Sequence, residues 1–140
     1  RRCVSETDEY LPHNHVKNSV VYPGTHDNTT ITAWWESAAT PKEKATAAAY
    51  LHLTGAHPTA KEVAAVKTAD ARTALLRAAL GSVADRAIIP MYDWLGLGEE
   101  AHLNTPGKLG GNWAWRAAAG FESKTLAKTI ADECSVYCRV

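Results

Sequence analysis

The chain has 140 residues, of which 46% are hydrophobic, and a formal net charge of zero at pH 7. This composition suits one small folded core and excludes a disordered chain, but a complete barrel of eight strands and eight helices needs about 250 residues. Since neither a block of like charges nor a long apolar run occurs, the sequence supports neither nucleic acid nor a membrane as a partner.

The first predicted elements are a polar loop at residues 1–10 and a buried strand at 19–22. Two histidines between them, His13 and His15, are possible metal ligands. No third ligand stands at a convincing spacing, so we expect ordinary polar contacts and no metal.

A histidine and an aspartate, His26 and Asp27, stand at the carboxyl end of the first strand, after the break at Pro23-Gly24. In barrels of alternating strands and helices, reactive side chains project from the carboxyl ends of the strands. A carboxylate beside an imidazole can hold sugar hydroxyls and stabilise developing positive charge. The alternative is that Asp27 or Asn28 only caps the helix that begins within 30–37.

Two helical regions are predicted next, over 40–53 and over 59–80, the second broken near 68–70. Each begins with a threonine followed three residues later by a glutamate, which is the pattern of a capping box. These four residues are Thr40, Glu43, Thr59 and Glu62.

A second buried strand is predicted over 87–91, followed by a glycine-rich turn at 96–98 and a last helix over 123–137. Cys134 continues the apolar stripe of that helix, so we expect it to be buried. The order of strand, helices, strand and helix predicts an α/β fold built from consecutive units of a parallel barrel.

Several short segments, taken in order, resemble the carboxyl-terminal part of the 4-α-glucanotransferases, the amylomaltase or disproportionating-enzyme family. Their order along the chain makes the resemblance specific. They are residues 11–15, 24–28, 34–35, 88–91, 93–98, 104–107 and 111–116.

This resemblance implies that residues 1–140 are an incomplete (β/α)8 barrel of the TIM type, containing about its last two strands with their helices. It implies a retaining glucanotransferase without cofactor or metal. Its partners would be α-1,4-glucans and maltooligosaccharides, with glucose as an acceptor. Asp27 would stabilise the transition state, while His26 and Asn104 would bind substrate.

The chain departs from the family pattern at three points. Thr29 stands where the family usually has aspartate, and His102-Leu103 stands where it has a basic residue and methionine. The family's nucleophile and acid/base lie upstream of Arg1, and neither Asp85 nor Asp93 sits in a similar pattern. We therefore expect a fragment that is inactive alone.

Alternatives remain for both residues and function. Trp113 and Trp115 either divide between sugar stacking and the core or both lie in the core, which is slightly favoured. Asn104 is either a sugar ligand or a turn residue that bonds only its own backbone. The alternative functions are a hydrolase of the α-amylase clan and a non-catalytic glucan-binding remnant. The odd number of cysteines favours an intracellular protein: plastidic in a plant or alga, cytoplasmic in a bacterium.

Overall fold

The computed structural model describes residues 8–139, so the predicted loop at 1–10 lies mostly outside the described residues. The described chain alternates two short strands with helices. In chain order the elements are a 3-10 turn at Pro12–Asn14, β1 Val20–Val21, α1 Ile31–Ala33 continued by a π-helical segment at Trp34–Ala38, α2 Pro41–Tyr50, α3 Ala60–Ala65, α4 Thr68–Leu80, β2 Arg86–Ala87, α5 Met91–Leu95, a 3-10 turn at Glu99–Ala101 and α6 Lys124–Val136.

The two strands pair in parallel, with Val20 opposite Arg86 and Val21 opposite Ala87. Ile88 adds one further backbone bond, since its N–H donates to the Val21 carbonyl at 2.8 Å. The prediction of two parallel strands joined by helices is therefore confirmed, and the described chain is α/β.

The predicted limits of the second strand were wrong, because β2 covers only Arg86–Ala87 and Met91 is the first residue of α5. Pro90 explains the early end of the ladder. Its nitrogen carries no hydrogen to donate, and as the residue preceding α5 it starts a helix more readily than it continues a strand.

The strands are buried on one face only, although the sequence predicts that both strands are fully buried. Val21 is 8% exposed and packs with Ala79 and Ala84, but Val20 is 45% and Ile88 is 59% exposed. Successive side chains of a strand point to opposite faces, and the helices of the described chain cover one face only.

Both predicted capping boxes are present. The side chains of Thr40 and Thr59 accept from the backbone N–H of Glu43 and Glu62, and each glutamate binds back to its threonine. The predicted interruption of the second helical region also exists, at 66–67 between α3 and α4. The first region ends slightly earlier than predicted, since α2 stops at Tyr50.

A second small core joins the helices. Trp35, Ala48 and Ala71 are buried together, and Trp34 and Val66 pack against them. The π-helical segment thus turns one tryptophan of the adjacent pair fully inward.

The last helix forms almost where predicted, but Cys134 is half-buried and not buried. The helix lies on the surface of α4 and not inside the fold, so its apolar stripe keeps some contact with solvent. Arg77 of α4 forms an ion pair with Glu133 at 2.7 Å across this contact. Within residues 8–139, no helix combines the length and the apolar character needed to cross a bilayer.

Candidate active site

The loop after β1 presents His26 and Asp27 to solvent, with 52% and 45% of their side chains exposed. His26 Nε2 lies 3.3 Å from Asp27 Oδ1. The loop is closed by Asn28, whose Oδ1 accepts from the N–H of Thr25 at 2.8 Å and from its hydroxyl at 3.0 Å. This local turn holds the imidazole and the carboxylate side by side.

Neither Asp27 nor Asn28 caps the next helix, so that alternative was wrong. The N-cap of α1 is Thr30, whose hydroxyl accepts from the N–H of Ala33 at 3.1 Å. A second donor of the same helix end, the N–H of Ile31, binds the Asp93 carboxylate at 2.9 Å. Asp27 is therefore left with an exposed carboxylate that the helix does not use.

Asn104, which follows the 3-10 turn at Glu99–Ala101, contacts this loop. Its Nδ2 donates to Asp27 Oδ1 at 2.5 Å, and its backbone N–H donates to the His26 carbonyl at 3.1 Å. The reading of Asn104 as a turn residue that bonds only its own backbone was therefore wrong. The three predicted site residues are therefore in direct contact, although Asp27 and Asn104 are 77 positions apart.

Trp113 also reaches this group, and its ring centroid lies 5.0 Å from that of His26. It is 54% exposed, which contradicts the reading that both tryptophans of this segment lie in the core. Trp115 is half-buried and meets Tyr92 edge-on, with a centroid distance of 6.0 Å.

Glu99 connects the two segments that carry the site. One carboxylate oxygen accepts from the Thr29 hydroxyl, and the other lies 2.8 Å from His102 Nδ1. These contacts lower the pKa of Glu99, with the bond from Thr29 as the largest cause. Thr29 and His102, two departures from the family pattern, are thus linked through one carboxylate.

Asp93 is a buried acid at the start of α1, with 2% exposure. Burial raises the pKa of its carboxyl to about 6, against the opposing effects of the Ile31 N–H and of the Arg72 charge. Its position in α5 makes it a support for the start of α1 and not a ligand of substrate. Beside it, Gly96 ends α5 with a φ of +70°.

The structure does not bring His13 and His15 to a common site. His13 Nδ1 lies 2.8 Å from the Tyr50 hydroxyl, and His15 Nδ1 lies 2.7 Å from the Ser82 hydroxyl. The predicted polar contacts are therefore confirmed. Over residues 8–139, no three side chains of the metal-binding types are grouped closely enough to hold an ion.

A cavity of about 630 Å³ lies elsewhere, among α2, α3 and the π-helical segment. Its walls include Trp35, Pro41 and Val63, and none of its lining residues belongs to the group around Asp27. The candidate site is thus an open surface of the loops and not this cavity.

Sequence reasoning missed two features of the site. The support of α1 by Asp93 joins positions 62 residues apart, and the bridge through Glu99 joins Thr29 to a turn 70 residues later. Neither pairing leaves a local signal, since each depends on how the loops after β1 and α5 meet.

The chain is similar in sequence to known proteins. A family model described as 4-alpha-glucanotransferase matches residues 2–122. The chloroplastic/amyloplastic 4-alpha-glucanotransferase of Arabidopsis thaliana is 40% identical over 134 residues, covering 94% of this chain and 21% of that protein. The 4-alpha-glucanotransferase of Thermus thermophilus is 44% identical over 113 residues, covering 79% of this chain and 21% of that protein.

A solved structure is similar as well. The amylomaltase from Streptococcus agalactiae in complex with acarbose superposes with a TM-score of 0.77 at 27% identity, covering 95% of this chain and 24% of that one. The chain therefore spans roughly a fifth to a quarter of the length of these proteins.

Proposed function

The chain belongs to the 4-alpha-glucanotransferase family, and on this basis we propose that it is the carboxyl-terminal part of the (β/α)8 barrel of such an enzyme. The full-length enzyme transfers a segment of a 1,4-α-glucan to a new 4-position of a glucose or glucan acceptor. Support for the barrel comes from the parallel pairing of β1 and β2, with helices between them.

The observation that carries this proposal is the contact of Asp27 with His26 and Asn104. The side chains of His26 and Asp27, in the loop after β1, are 52% and 45% exposed, and Asn104 is half-buried. Both contacts of the carboxylate are made by Oδ1, so Oδ2 remains available to a sugar hydroxyl. Carboxylate, imidazole and amide groups together supply the donors and acceptors that adjacent hydroxyls of a sugar require.

Retention of configuration calls for a covalent glycosyl–enzyme intermediate formed by a nucleophilic carboxylate, with a second carboxyl group as acid and then base. We assign neither role to the described residues. Asp27 instead binds hydroxyls of the distorted ring and stabilises the positive charge that develops in the oxocarbenium-like transition state. His26 and Asn104 hold the same sugar, and Asn104 also fixes the Asp27 carboxylate.

The substrates proposed are α-1,4-glucans and maltooligosaccharides, with glucose among the acceptors. The family description and the acarbose bound to the similar amylomaltase support this substrate class. The enzyme would work in plastids if its source is a plant or alga, as the names of the Arabidopsis and potato relatives indicate for those proteins, and in the cytoplasm if its source is a bacterium.

Incubation of the full-length enzyme with maltotriose tests the activity. A glucanotransferase gives glucose together with maltooligosaccharides longer than maltotriose, because the sugar acceptor replaces water. A hydrolase of the α-amylase clan would give only shorter products, and a non-catalytic remnant would bind glucan without turnover. Either of these results would contradict the proposal.

A further inference from the structure

We propose that Trp113 is a stacking platform for a second glucose unit of the glucan, next to the unit held by Asp27 and Asn104. This inference rests on the proposed function and deepens it, because it assigns an additional sugar-binding position. The platform takes the apolar C–H face of a pyranose ring, while hydroxyls at the ring edge face the polar group.

The position of the ring supports this role. Its centroid lies 5.0 Å from that of His26, at an interplanar angle of 37°. His26 in turn lies 3.3 Å from Asp27. The indole is therefore separated from the carboxylate by one side chain, so a glucan bound at Asp27 can extend across it.

Core packing does not explain this tryptophan. Trp113 is 54% exposed, whereas Trp115, two residues later, is half-buried against Tyr92. A large, half-exposed aromatic side chain is suited to a ligand that also has an apolar face.

The backbone conformation points the same way. Trp113 has a φ of +60°, in the left-handed region where bulky residues are outliers and glycine is favoured. Such strain costs on the order of 1 kcal/mol and is found preferentially at functional sites. A loop position selected for its turn alone would be better occupied by glycine.

The strained residue is also held in place by two hydrogen bonds. Its N–H donates to the Leu103 carbonyl at 2.6 Å, and its own carbonyl accepts from Arg116 Nη1 at 3.1 Å. Because Leu103 directly precedes Asn104, the indole and the Asn104 amide are fixed by the same piece of backbone. Platform and polar group are thus preorganised together.

The test compares initial rates of Trp113→Ala, Trp113→Phe and Trp113→Gly in the full-length enzyme with maltoheptaose as substrate. We expect Trp113→Ala and Trp113→Gly to raise KM by about tenfold, while kcat changes by less than about threefold. Trp113→Phe keeps an aromatic face and should recover most of the affinity. Leu109→Ala is the matched control, since Leu109 is a fully exposed apolar side chain of the same loop.

Trp113→Gly separates stacking from folding, because glycine accepts the left-handed backbone without strain. A normal KM in Trp113→Gly would overturn the platform, as would a loss confined to kcat. If the unmodified enzyme forms no maltooligosaccharides that are longer than its substrate, the proposed function fails and the platform fails with it. If the unmodified enzyme is active and all three variants match it, only the platform is overturned.

Discussion

Asp27 resembles a helix cap in the sequence, but the structure leaves its side chain outside the cap of α1. Thr30 and Asp93 serve the donors at the start of α1, so Asp27 is free to face the amide of Asn104 and the ring of His26. Its carboxylate is 45% exposed on the surface of the loop, where charge stabilisation of a transition state is possible.

We expect Asp27→Asn to lower the kcat of the full-length enzyme by roughly a hundredfold or more, with a smaller change in KM. The amide keeps the shape of the side chain but removes the charge that stabilises the transition state. Steady-state kinetics on maltotriose measures this effect. Asp85→Asn, at an exposed aspartate outside the site, should leave both constants unchanged. An unaltered kcat in Asp27→Asn would refute the assigned role.

Asn104→Ala should lower kcat/KM on maltotriose by the equivalent of about 1–3 kcal/mol, the range for a lost hydrogen bond to a charged group. The variant loses both a sugar ligand and the bond that fixes Asp27. The double variant with Asp27→Asn should therefore lose less than the sum of the two single effects.

The melting temperature of Asn104→Ala should fall little, because its backbone bond to His26 remains. Asn18→Ala, at an exposed asparagine outside the site, is the control. A marked fall in melting temperature with normal kinetics would remove Asn104 from the site.

Asp93 makes stability depend on pH. Its pKa is about 6 in the folded chain and close to 3.8 when unfolded, so the folded state holds the proton more tightly. Asp93 therefore contributes its full stabilisation below pH 3.8, and the free energy of unfolding falls by roughly 3 kcal/mol as the pH rises through about 6.

We expect Asp93→Asn to remove this pH dependence, since its amide oxygen still accepts from the N–H of Ile31. The melting temperature of Asp93→Asn relative to the unmodified enzyme should rise between pH 4.5 and pH 7.5. Asp85→Asn should show no such trend, since Asp85 is exposed. If the melting temperatures of Asp93→Asn and of the unmodified enzyme change with pH in the same way, the proposed effect of burying Asp93 is contradicted.

At the scale of elements, the guanidinium of Arg139, which follows α6, holds the end of this helix against the turn after α4. Arg139 Nε donates to the Leu80 carbonyl at 2.6 Å, and Nη2 donates to the carbonyls of Ser82 at 2.6 Å and Ala84 at 2.9 Å. Charge-assisted bonds to several carbonyls at once suit arginine, whose planar group presents five donors. This contact orders the segment that leads into β2.

Arg139→Met should destabilise the docking of α6 by about 2 kcal/mol, because three carbonyl groups lose their donor. Faster hydrogen exchange in α6 and in residues 80–85 would report the effect. Lys128→Met is the control, since the exposed pair of Lys128 with Asp132 contributes well under about 1 kcal/mol. Equal exchange in the two variants would contradict this account of the docking.

At the scale of the whole molecule, the described chain leaves strand surface uncovered. Val20, Tyr22 and Ile88 are 45%, 51% and 59% exposed. Exposed apolar residues beside unpaired strand edges promote association between chains.

We therefore expect the isolated 140-residue chain to release no glucose from maltotriose and to associate in solution. Glu99 and Glu100, the acids nearest in sequence to Asn104, both accept hydrogen bonds within the fold. Glucose assay and light scattering on the purified chain measure the two properties. Turnover near that of the full-length enzyme would contradict the assignment of nucleophile and acid/base to other parts of the protein.

The features that the sequence by itself determined are those that depend on interactions between neighbouring residues. The capping boxes at Thr40 and Thr59, the break between α3 and α4 and the last helix all depend on residues close in the chain. The ordered motifs likewise identified the family and pointed to His26, Asp27 and Asn104. These features are readable because each has a signature within a few residues.

Only the tertiary structure decided how these parts meet. In the folded chain, Thr30 and Asp93 accept hydrogen bonds from the N–H groups at the start of α1. Thr29 donates to Glu99, and Trp113 lies beside His26. Apart from the local cap by Thr30, each contact joins residues more than sixty positions apart in the sequence. Such contacts follow from how parallel strands bring their carboxyl ends to one edge, and no local pattern records which side chains meet there.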